Sequence, residues 1–223
     1  MFAVIFIVQP KPGRKDEYLE LAKYLKPKIE QIDGFIDNDR GASTRGDRRV
    51  LSLSTWRDEK AVIRWRTQPD HHRVQEKGRF EVFENYNLWI GEYTHDSDPP
   101  DGQGLAQQRF DETEAGPAKA ATVTELMPKD ASTLGASPDA LPAHLGLPPD
   151  ADGLVDAEVF ESIYHPGKLI LLAFWRDAKS AEAWSPNRPH AAAMRHRRAR
   201  IIRAYGMFDR REATQYYPEV KHP

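Results

Sequence analysis

Two adjacent histidines, His71 and His72, are the side chains of this sequence best suited to proton transfer or to binding iron. A neutral imidazole has a pKa of about 6.5 and can accept a proton from an acidic phenol at physiological pH. The pair follows Pro69, which interrupts a helical pattern, so one ring can point inward and the other outward. The structural alternative is that both rings are solvated or cap a helix.

Five further side chains could line a binding site near these histidines. Two tryptophans could form a flat aromatic surface, although large aromatic residues at such positions more often anchor a helix to a sheet. An amide could donate to a ligand carbonyl, and an arginine with a tyrosine could hold a substrate oxygen. An ion pair with Asp58 is the structural alternative for that arginine. The five residues are Trp56, Trp65, Asn38, Arg79 and Tyr86.

The region that carries these residues occurs twice in the chain. Residues 34–93 align without a gap with residues 153–212 at an offset of 119 positions, and 12 of the 60 pairs are identical. Chance would produce about three or four identities. The identical pairs include Trp56/Trp175, Trp65/Trp184, His71/His190, Arg79/Arg198 and Tyr86/Tyr205.

We therefore predict two modules, residues 1–94 and residues 118–223. Between them, residues 95–117 are rich in Asp, Pro, Gly and Gln and lack apolar periodicity, which is typical of a linker.

The first module has the pattern of a strand, a helix, two strands, a second helix and a closing strand. Apolar residues three and four positions apart predict an amphipathic first helix that ends at Gly34. Asp58 is placed to cap the second helix, which Pro69 interrupts. The predicted strands are 2–8, 35–43, 49–56 and 86–90, and the predicted helices are 14–32 and 59–83.

This order is that of a ferredoxin-like βαββαβ module, in which both helices cover one face of the sheet. The other face must be buried against something, and the second module is covalently attached. We therefore predict an α+β fold in which two tandem ferredoxin-like modules form an intramolecular dimeric α+β barrel with the helices outside.

The second module departs from the first in two places. Residues 130–152 contain four prolines and two glycines where the first module has its amphipathic helix, so we expect only a short turn at 138–145. The two halves are unequal, and at most one is expected to keep a pocket. The basic run at 195–203 lacks interleaved aromatic residues and is interpreted as a solvated helix face rather than a phosphate site.

Composition excludes several classes of function. Lys and Arg (32) nearly balance Asp and Glu (34), so no overall positive field attracts nucleic acid or an anionic membrane. The chain has no cysteine, which excludes disulfides and thiolate chemistry. No segment approaches the roughly 18 apolar residues that span a bilayer, and the apolar run at 2–8 lacks the features of a signal peptide. We expect a cytoplasmic protein without nucleic-acid or membrane partners.

Residues 51–86 resemble the antibiotic biosynthesis monooxygenase superfamily, whose small modules have the dimeric α+β barrel fold. The resemblance lies in W-R-D-E-x-A-V-x-x-W, then H-R-x-Q-x-x-G-R, and an aromatic-rich closing strand. It covers the first module and, more faintly, the second, where Met194 aligns with Gln75 and Arg197 aligns with Gly78. The residues that carry it are Trp56, Arg57, Asp58, Glu59, Ala61, Val62, Trp65, His72, Arg73, Gln75, Gly78 and Arg79.

This resemblance implies an oxygenase that binds an electron-rich aromatic substrate between sheet and helices and needs neither metal nor flavin. We therefore predict a cofactor-independent monooxygenase for a small aromatic or quinol-type compound, with no metal ligands. Haem binding or degradation through one of the histidines is an alternative, as is a non-catalytic ligand-binding barrel. Association of the fused barrel into a homo-oligomer is left open. The predicted catalytic residues are His71 and His72, and the predicted substrate-binding residues are Asn38, Trp56, Trp65, Arg79 and Tyr86.

Overall fold

A computed structural model describes residues 1–46, 48–129, 136–186 and 191–220. None of the helices in these ranges is both long and apolar enough to cross a membrane. The strands are β1 (Phe2–Pro10), β2 (Phe35–Ser43), β3 (Val50–Trp56), β4 (Phe83–Asp96), β5 (Ala120–Pro128), β6 (Leu154–Ser162), β7 (Leu169–Trp175) and β8 (Ala191–Gly206). The α-helices are α1 (Lys15–Ile29), α2 (Glu59–Arg66), α3 (Pro69–Lys77), α4 (Leu141–His144) and α5 (Ala178–Ala183), and a π-helical segment (Gly78–Val82) follows α3.

The strands form one closed antiparallel barrel in the order β1-β3-β2-β6-β7-β5-β8-β4. Strands β1 to β4 with α1 to α3 are called the first half, and strands β5 to β8 with α4 and α5 the second half. The halves join where Gly41 pairs with Ser162, between β2 and β6, and where Leu88 pairs with Tyr205, between β4 and β8. The predicted intramolecular α+β barrel is therefore confirmed.

The sheet faces that carry no helices pack together in the barrel interior and form an apolar core. Alternate residues of each strand point inward, so Ile5 and Leu53 of the first half meet Ile170 and Phe174 of the second half in one buried cluster. Each such side chain stabilises the fold by about 1.5–3 kcal/mol when it leaves water. The helices lie outside the barrel, as predicted.

Local signals place the first-half helices. Helix α1 presents a buried stripe of Tyr18, Ala22, Leu25 and Ile29. The helix ends at Ile29, earlier than the predicted end, and Gly34 instead occupies a positive-φ position (+89°) before β2. Helix α2 begins where predicted, because the carboxylate of Asp58 accepts a 2.8 Å hydrogen bond from the backbone N–H of Ala61.

The closing strands of the two halves correspond at a different offset from the sequence repeat. Phe2 of β1 pairs with Glu92, and Ala120, its counterpart in β5, pairs with Arg200, so the equivalent strand positions are 108 residues apart. The identities Arg79/Arg198 and Tyr86/Tyr205 therefore join residues that are not structural equivalents. Helix α5 ends at Ala183 and β8 begins at Ala191, so the described residues hold no second-half counterpart of α3. His190 lies outside the described residues.

The interpretation of residues 195–203 as a solvated helix face is wrong, because this run lies within β8. Three of its arginines, Arg195, Arg197 and Arg200, lie beside carboxylates from distant parts of the chain. Arg197, 1% exposed, donates to Glu125 at 2.5 Å, and Arg195 donates to Asp96 at 2.7 Å. These carboxylates compensate the positive charges that were expected to be solvated.

Residues 97–119, between β4 and β5, contain neither helix nor strand, but they pack against the barrel. The backbone N–H of Thr113 donates to the Ile201 carbonyl at 3.0 Å, and Arg109 forms an ion pair with Glu59 at 2.7 Å. Ala115 and Ala118 are buried in the barrel core. This segment therefore covers part of the barrel as well as connecting its halves.

Candidate active site

The first half contains a pocket of about 170 Å³ between the sheet and helices α1, α2 and α3. Its walls are mostly apolar, with Val4 and Ile90 from the sheet, Leu25 and Ile29 from α1, and Val62 from α2. Polar side chains occupy a smaller part of the lining, and they include Lys26, Asn38, Arg40, Ser52, Ser54, Arg66, His71 and Gln75. We call this cavity the first-half pocket.

The polar floor of the pocket comes from two neighbouring strands. Asn38 of β2 lies opposite Ser54 of β3, and Arg40 lies opposite Ser52, so the four side chains share the helix-facing side of the sheet. The Asn38 amide nitrogen donates to the Leu53 carbonyl at 2.9 Å. That donor, which was predicted to bind a ligand carbonyl, is therefore engaged with the neighbouring strand.

His71 lies on the helix side of the pocket, at the break between α2 and α3. Its ring stacks on Trp65, with centroids 4.1 Å apart and planes 13° apart. The Nδ1 atom is 2.9 Å from the Trp65 carbonyl oxygen, which can only accept, so Nδ1 carries the hydrogen. Burial lowers the pKa of His71 to about 4, and the neutral ring thus leaves Nε2 as a hydrogen-bond acceptor.

His72 lies outside the pocket. Consecutive residues of a helix point in different directions, and the His72 side chain is on the exposed side of α3. Its ring stacks on Tyr217 of the C-terminal segment at 5.7 Å, and its Nδ1 is 3.2 Å from the Tyr217 hydroxyl. The expectation of one inward and one outward imidazole matches this arrangement.

Three other predicted site residues also lie outside the pocket lining. Trp56 is fully buried, donates from Nε1 to the Ser54 hydroxyl at 2.9 Å and packs edge-on against Phe35, so it anchors the sheet. Tyr86 accepts a 2.8 Å hydrogen bond from Arg210. Arg79 contacts the C-terminal segment instead of the pocket.

The alternative ion pair between Arg79 and Asp58 is wrong. Buried Arg79 donates to the Met207 carbonyl at 2.8 Å, the Tyr86 hydroxyl at 3.2 Å and the Pro218 carbonyl at 3.3 Å. Its partners are thus two carbonyl oxygens near the end of the chain and one hydroxyl group of β4. Arg79 fastens residues 207–218 to the π-helical segment.

Of the seven predicted site residues, the structure brings Asn38, Trp65 and His71 together in the pocket. Sequence reasoning missed the floor residues Arg40, Ser52 and Ser54, although the alternation of Ser52 and Ser54 with Leu51 and Leu53 along β3 was a usable signal. It also missed Tyr205, which β8 delivers from the second half because it pairs beside Leu88.

The equivalent space in the second half is filled. The positions of Asn38, Arg40, Ser52 and Ser54 are taken by Ala157, Val159, Leu171 and Ala173, which remove every polar group of the floor. Leu141, Leu145 and Leu147 pack here against Trp184, whose Nε1 donates to the Gly146 carbonyl at 3.0 Å. The two halves are therefore unequal, as the sequence predicts.

Within the described ranges, no group of three or more His, Asp or Glu side chains is arranged to hold a metal ion.

The fold is shared with two solved aldoxime dehydratase structures. One has a TM-score of 0.52 and 11% identity, covering 90% of this chain and 80% of the other. The second, in complex with butyraldoxime, has a TM-score of 0.56 and 13% identity, covering 91% of this chain and 79% of the other. At these identities the likeness concerns the fold alone.

Similarity in sequence identifies the family. The model of the family described as antibiotic biosynthesis monooxygenase matches residues 1–77. A curated relative, jasmonate monooxygenase ABM of Pyricularia oryzae, is 40% identical over 223 residues, which cover 98% of this chain and 99% of the relative. The relative thus matches both halves of the barrel, including the filled one. The chain belongs to the antibiotic biosynthesis monooxygenase family.

Proposed function

We propose that this protein is a monooxygenase that transfers one atom of O₂ to a small, mainly apolar substrate bound in the first-half pocket. The observation that carries the proposal is an apolar cavity of about 170 Å³ with a neutral imidazole on its wall and hydroxyl and amide groups on its floor. Such pockets bury a small organic ligand and orient it through a few polar groups. Membership of a monooxygenase family supports the class of reaction.

His71 is the residue that would act on the reacting part of the substrate. Its Nε2 accepts a hydrogen bond from a hydroxyl or enol group, and this bond raises the electron density on the substrate oxygen. Because its pKa is about 4, the ring keeps this acceptor at neutral pH and is a weak base. We therefore assign it the polarisation of an O–H bond and the orientation of the substrate.

Aromatic rings in the pocket support an aromatic or quinol-type substrate. Phe6, Tyr18, Trp65, Phe83 and Tyr205 contribute to the lining and can pack against a flat ring. With an anthrone, a ring CH₂ group becomes a carbonyl; with a hydroquinone, a ring C–H bond becomes C–OH while the quinol is oxidised to a quinone. In both reactions one oxygen atom of O₂ enters the product and the other leaves as water. The substrate supplies all four electrons, so the balance needs no further reductant.

The name of the curated relative supports jasmonate as a second substrate class. Jasmonate is a carboxylic acid with a cyclopentanone ring and an alkenyl chain, so it too is mainly apolar. Replacing one of its C–H bonds by C–OH consumes O₂, two protons and two electrons and releases water. This reaction therefore requires an added two-electron reductant, which separates the two substrate classes experimentally.

Incubation of the purified protein under ¹⁸O₂ tests the proposal. Anthrone and substituted hydroquinones are supplied alone, and jasmonic acid is supplied with and without ascorbate or NADH. We expect oxygen uptake and a product that contains one ¹⁸O atom. His71→Ala should lower the rate by about 10²-fold or more, whereas the adjacent exposed variant His72→Ala should keep the wild-type rate.

The proposal would be overturned if neither substrate class gave oxygen uptake and a labelled product. If a ligand binds without being oxidised, the non-catalytic barrel becomes the better account. A haemin titration with a Soret shift that disappears in His71→Ala would favour the haem alternative instead.

A further inference from the structure

One feature of the first-half pocket is a cation without a countercharge. Arg40 lines the pocket, and among the described residues no carboxylate lies within 4.0 Å of its guanidinium group. Three arginines of β8 differ in this respect. Arg195, Arg197 and Arg200 each form an ion pair, with Asp96, Glu125 and Glu92 respectively.

The partners that Arg40 does have are neutral hydroxyl groups. Its Nε donates to the Tyr18 hydroxyl at 3.3 Å, its Nη2 to the Ser52 hydroxyl at 3.3 Å and its Nη1 to the Tyr164 hydroxyl at 2.5 Å. The guanidinium also lies over the rings of Tyr18 and Tyr164, at 5.6 and 5.7 Å from their centroids. These contacts hold the group in place but leave its charge uncompensated in an apolar pocket, which is costly.

We propose that Arg40 is the anion anchor of the first-half pocket and that the substrate carries a carboxylate or another acidic oxygen at the end that faces β2. A guanidinium group can bind a carboxylate through two parallel N–H···O bonds, which adds geometric selection to charge. Ser52, Ser54 and Asn38 surround the anchor on the same sheet face. The proposal rests on the proposed function, since it names the class of substrate for the same pocket.

The second half positions this anchor. Tyr164 lies in the turn between β6 and β7, and the neighbouring Ile163 N–H donates to the Arg40 carbonyl at 2.7 Å. Ser162 donates its hydroxyl hydrogen to Asp39 at 2.7 Å. The second half has Val159 at the position of Arg40 and a filled interior, so it contributes to binding by orienting the cation of the first half.

Ligand pairs that differ only in charge test the anchor without any turnover. Calorimetric titration compares jasmonic acid with its methyl ester, and 1-naphthoic acid with its methyl ester. We expect the wild-type protein to bind at least one acid about ten- to a hundred-fold more tightly than its ester. In Arg40→Gln that ratio should fall towards one while ester affinity is retained, and Arg40→Lys should keep part of it.

Two further variants sharpen the assignment. Tyr164→Phe should lower acid affinity several-fold and leave ester affinity unchanged, as a positioning role requires. Arg64→Gln removes a charge from the exposed side of α2 and should keep the wild-type ratio. Melting temperatures establish that each variant is folded. If Arg40→Gln does not fold, the acid-to-ester ratio of Arg40→Lys is compared with that of the wild-type protein instead.

The proposal is overturned if the wild-type protein binds esters as tightly as acids, if it binds neither acid, or if Arg40→Gln keeps the preference for the acid. Loss of the preference in Arg66→Gln alone would assign the anchor to the other pocket arginine. An acid preference that depends on Arg40 in a protein without oxygenase activity would leave the anchor intact and refute the proposed function. Oxygenation without an acid preference would support the proposed function and refute the anchor.

Discussion

At the scale of single residues, the state of His71 is set by its immediate neighbours. The side-chain oxygen of Gln68 caps α3 by accepting from the His71 backbone N–H at 2.7 Å, which fixes where the helix begins. Trp65 contributes both the stacked ring and the carbonyl that takes the Nδ1 hydrogen. One short break between two helices thus determines the ring's orientation, tautomer and charge.

The pKa of His71 predicts a pH-dependent stability. Its folded value of about 4 lies below the value of about 6.5 in an unfolded chain, so between these pH values only the unfolded chain binds the proton. The contribution of His71 to the free energy of unfolding is therefore fully present above pH 6.5. It is lost as the pH falls towards 4, which lowers the free energy of unfolding by at most about 3 kcal/mol. Urea denaturation of His71→Asn should show a shallower decrease than the wild-type protein.

His72→Asn is the matched control and should follow the wild-type curve, because this side chain is exposed. Burial also lowers the pKa of His196 to about 4, so part of the pH dependence should persist in His71→Asn. A slope that is the same in both asparagine variants would contradict the assignment to His71.

At the scale of elements, the approach of α2 to the connection between α1 and β2 depends on Gly34. A Cβ atom at this position would lie 2.6 Å from the Cβ of Ala61, and the backbone has a φ of +89°. Gly34→Ala should therefore lower the free energy of unfolding by about 2–4 kcal/mol, from backbone strain and overpacking together. Gly13→Ala should cost only about 1 kcal/mol, because Gly13 has positive φ but open space around it. Equal losses in denaturation experiments would show that the contact with Ala61 is unimportant.

The C-terminal segment is a second element that acts on the pocket. Gln215 donates to the Arg66 carbonyl at 3.3 Å and to the Gln75 side chain at 3.4 Å, and the Tyr217 hydroxyl donates to Gln75 at 3.4 Å. Both Arg66 and Gln75 line the pocket. The double variant Gln215→Ala/Tyr217→Ala should therefore weaken ligand binding about five- to tenfold, since each lost hydrogen bond is worth about 1 kcal/mol or less.

Tyr216→Ala is the control for this prediction, because Tyr216 lies between the two residues in sequence and is 89% exposed. Calorimetric titration with the best ligand of the panel provides the measurement. Unchanged affinity in the double variant would mean that the segment covers α3 without ordering the pocket.

The elements also show how far the sequence can predict this fold. Apolar periodicity and the Asp58 cap predicted the first-half elements, because those signals are local. The offset of 119 failed beyond Trp65 because the second half has 11 fewer residues before its closing strand (119 − 108), and the identities Arg79/Arg198 and Tyr86/Tyr205 concealed this difference. The strand character of β8 was hidden because its arginines are neutralised by Asp96 and Glu125, which are remote in sequence.

The site was predicted in part for a related reason. His71, Trp65 and Asn38 belong to recognisable chemical types, and the structure places them in one pocket. Arg40 follows the polar run Asp37 to Asp39, in which no apolar alternation distinguishes the helix side of β2 from the barrel interior. Its missing countercharge is a property of three-dimensional packing, and no pattern along the chain records it.

At the scale of the whole molecule, the two halves share one core but differ in the space beneath their helices. The interior cluster needs both halves, because Ile5 and Leu53 pack against Ile170 and Leu172. The pocket outside the sheet needs polar residues in only one half, and the second half has replaced them with apolar side chains. The filled half still supplies Tyr205 to the pocket lining and Tyr164 to Arg40. The division into residues 1–94, 95–117 and 118–223 remains our interpretation of the repeat.

A barrel whose core is shared between halves should unfold as one unit. Phe174 of the second half is 5% exposed and packs on Trp89 of the first half, with ring centroids 4.4 Å apart. Phe174→Ala should lower the free energy of unfolding by about 3–5 kcal/mol through the cavity it leaves. Because the first half loses its support as well, circular dichroism and tryptophan fluorescence should report the same single transition, shifted to lower denaturant concentration. Val155→Ala, at a 38% exposed position of the second half, should change stability by less than about 0.5 kcal/mol. Two separate transitions in Phe174→Ala would mean that each half is stable without the other, and the shared core would then not be what holds the barrel closed.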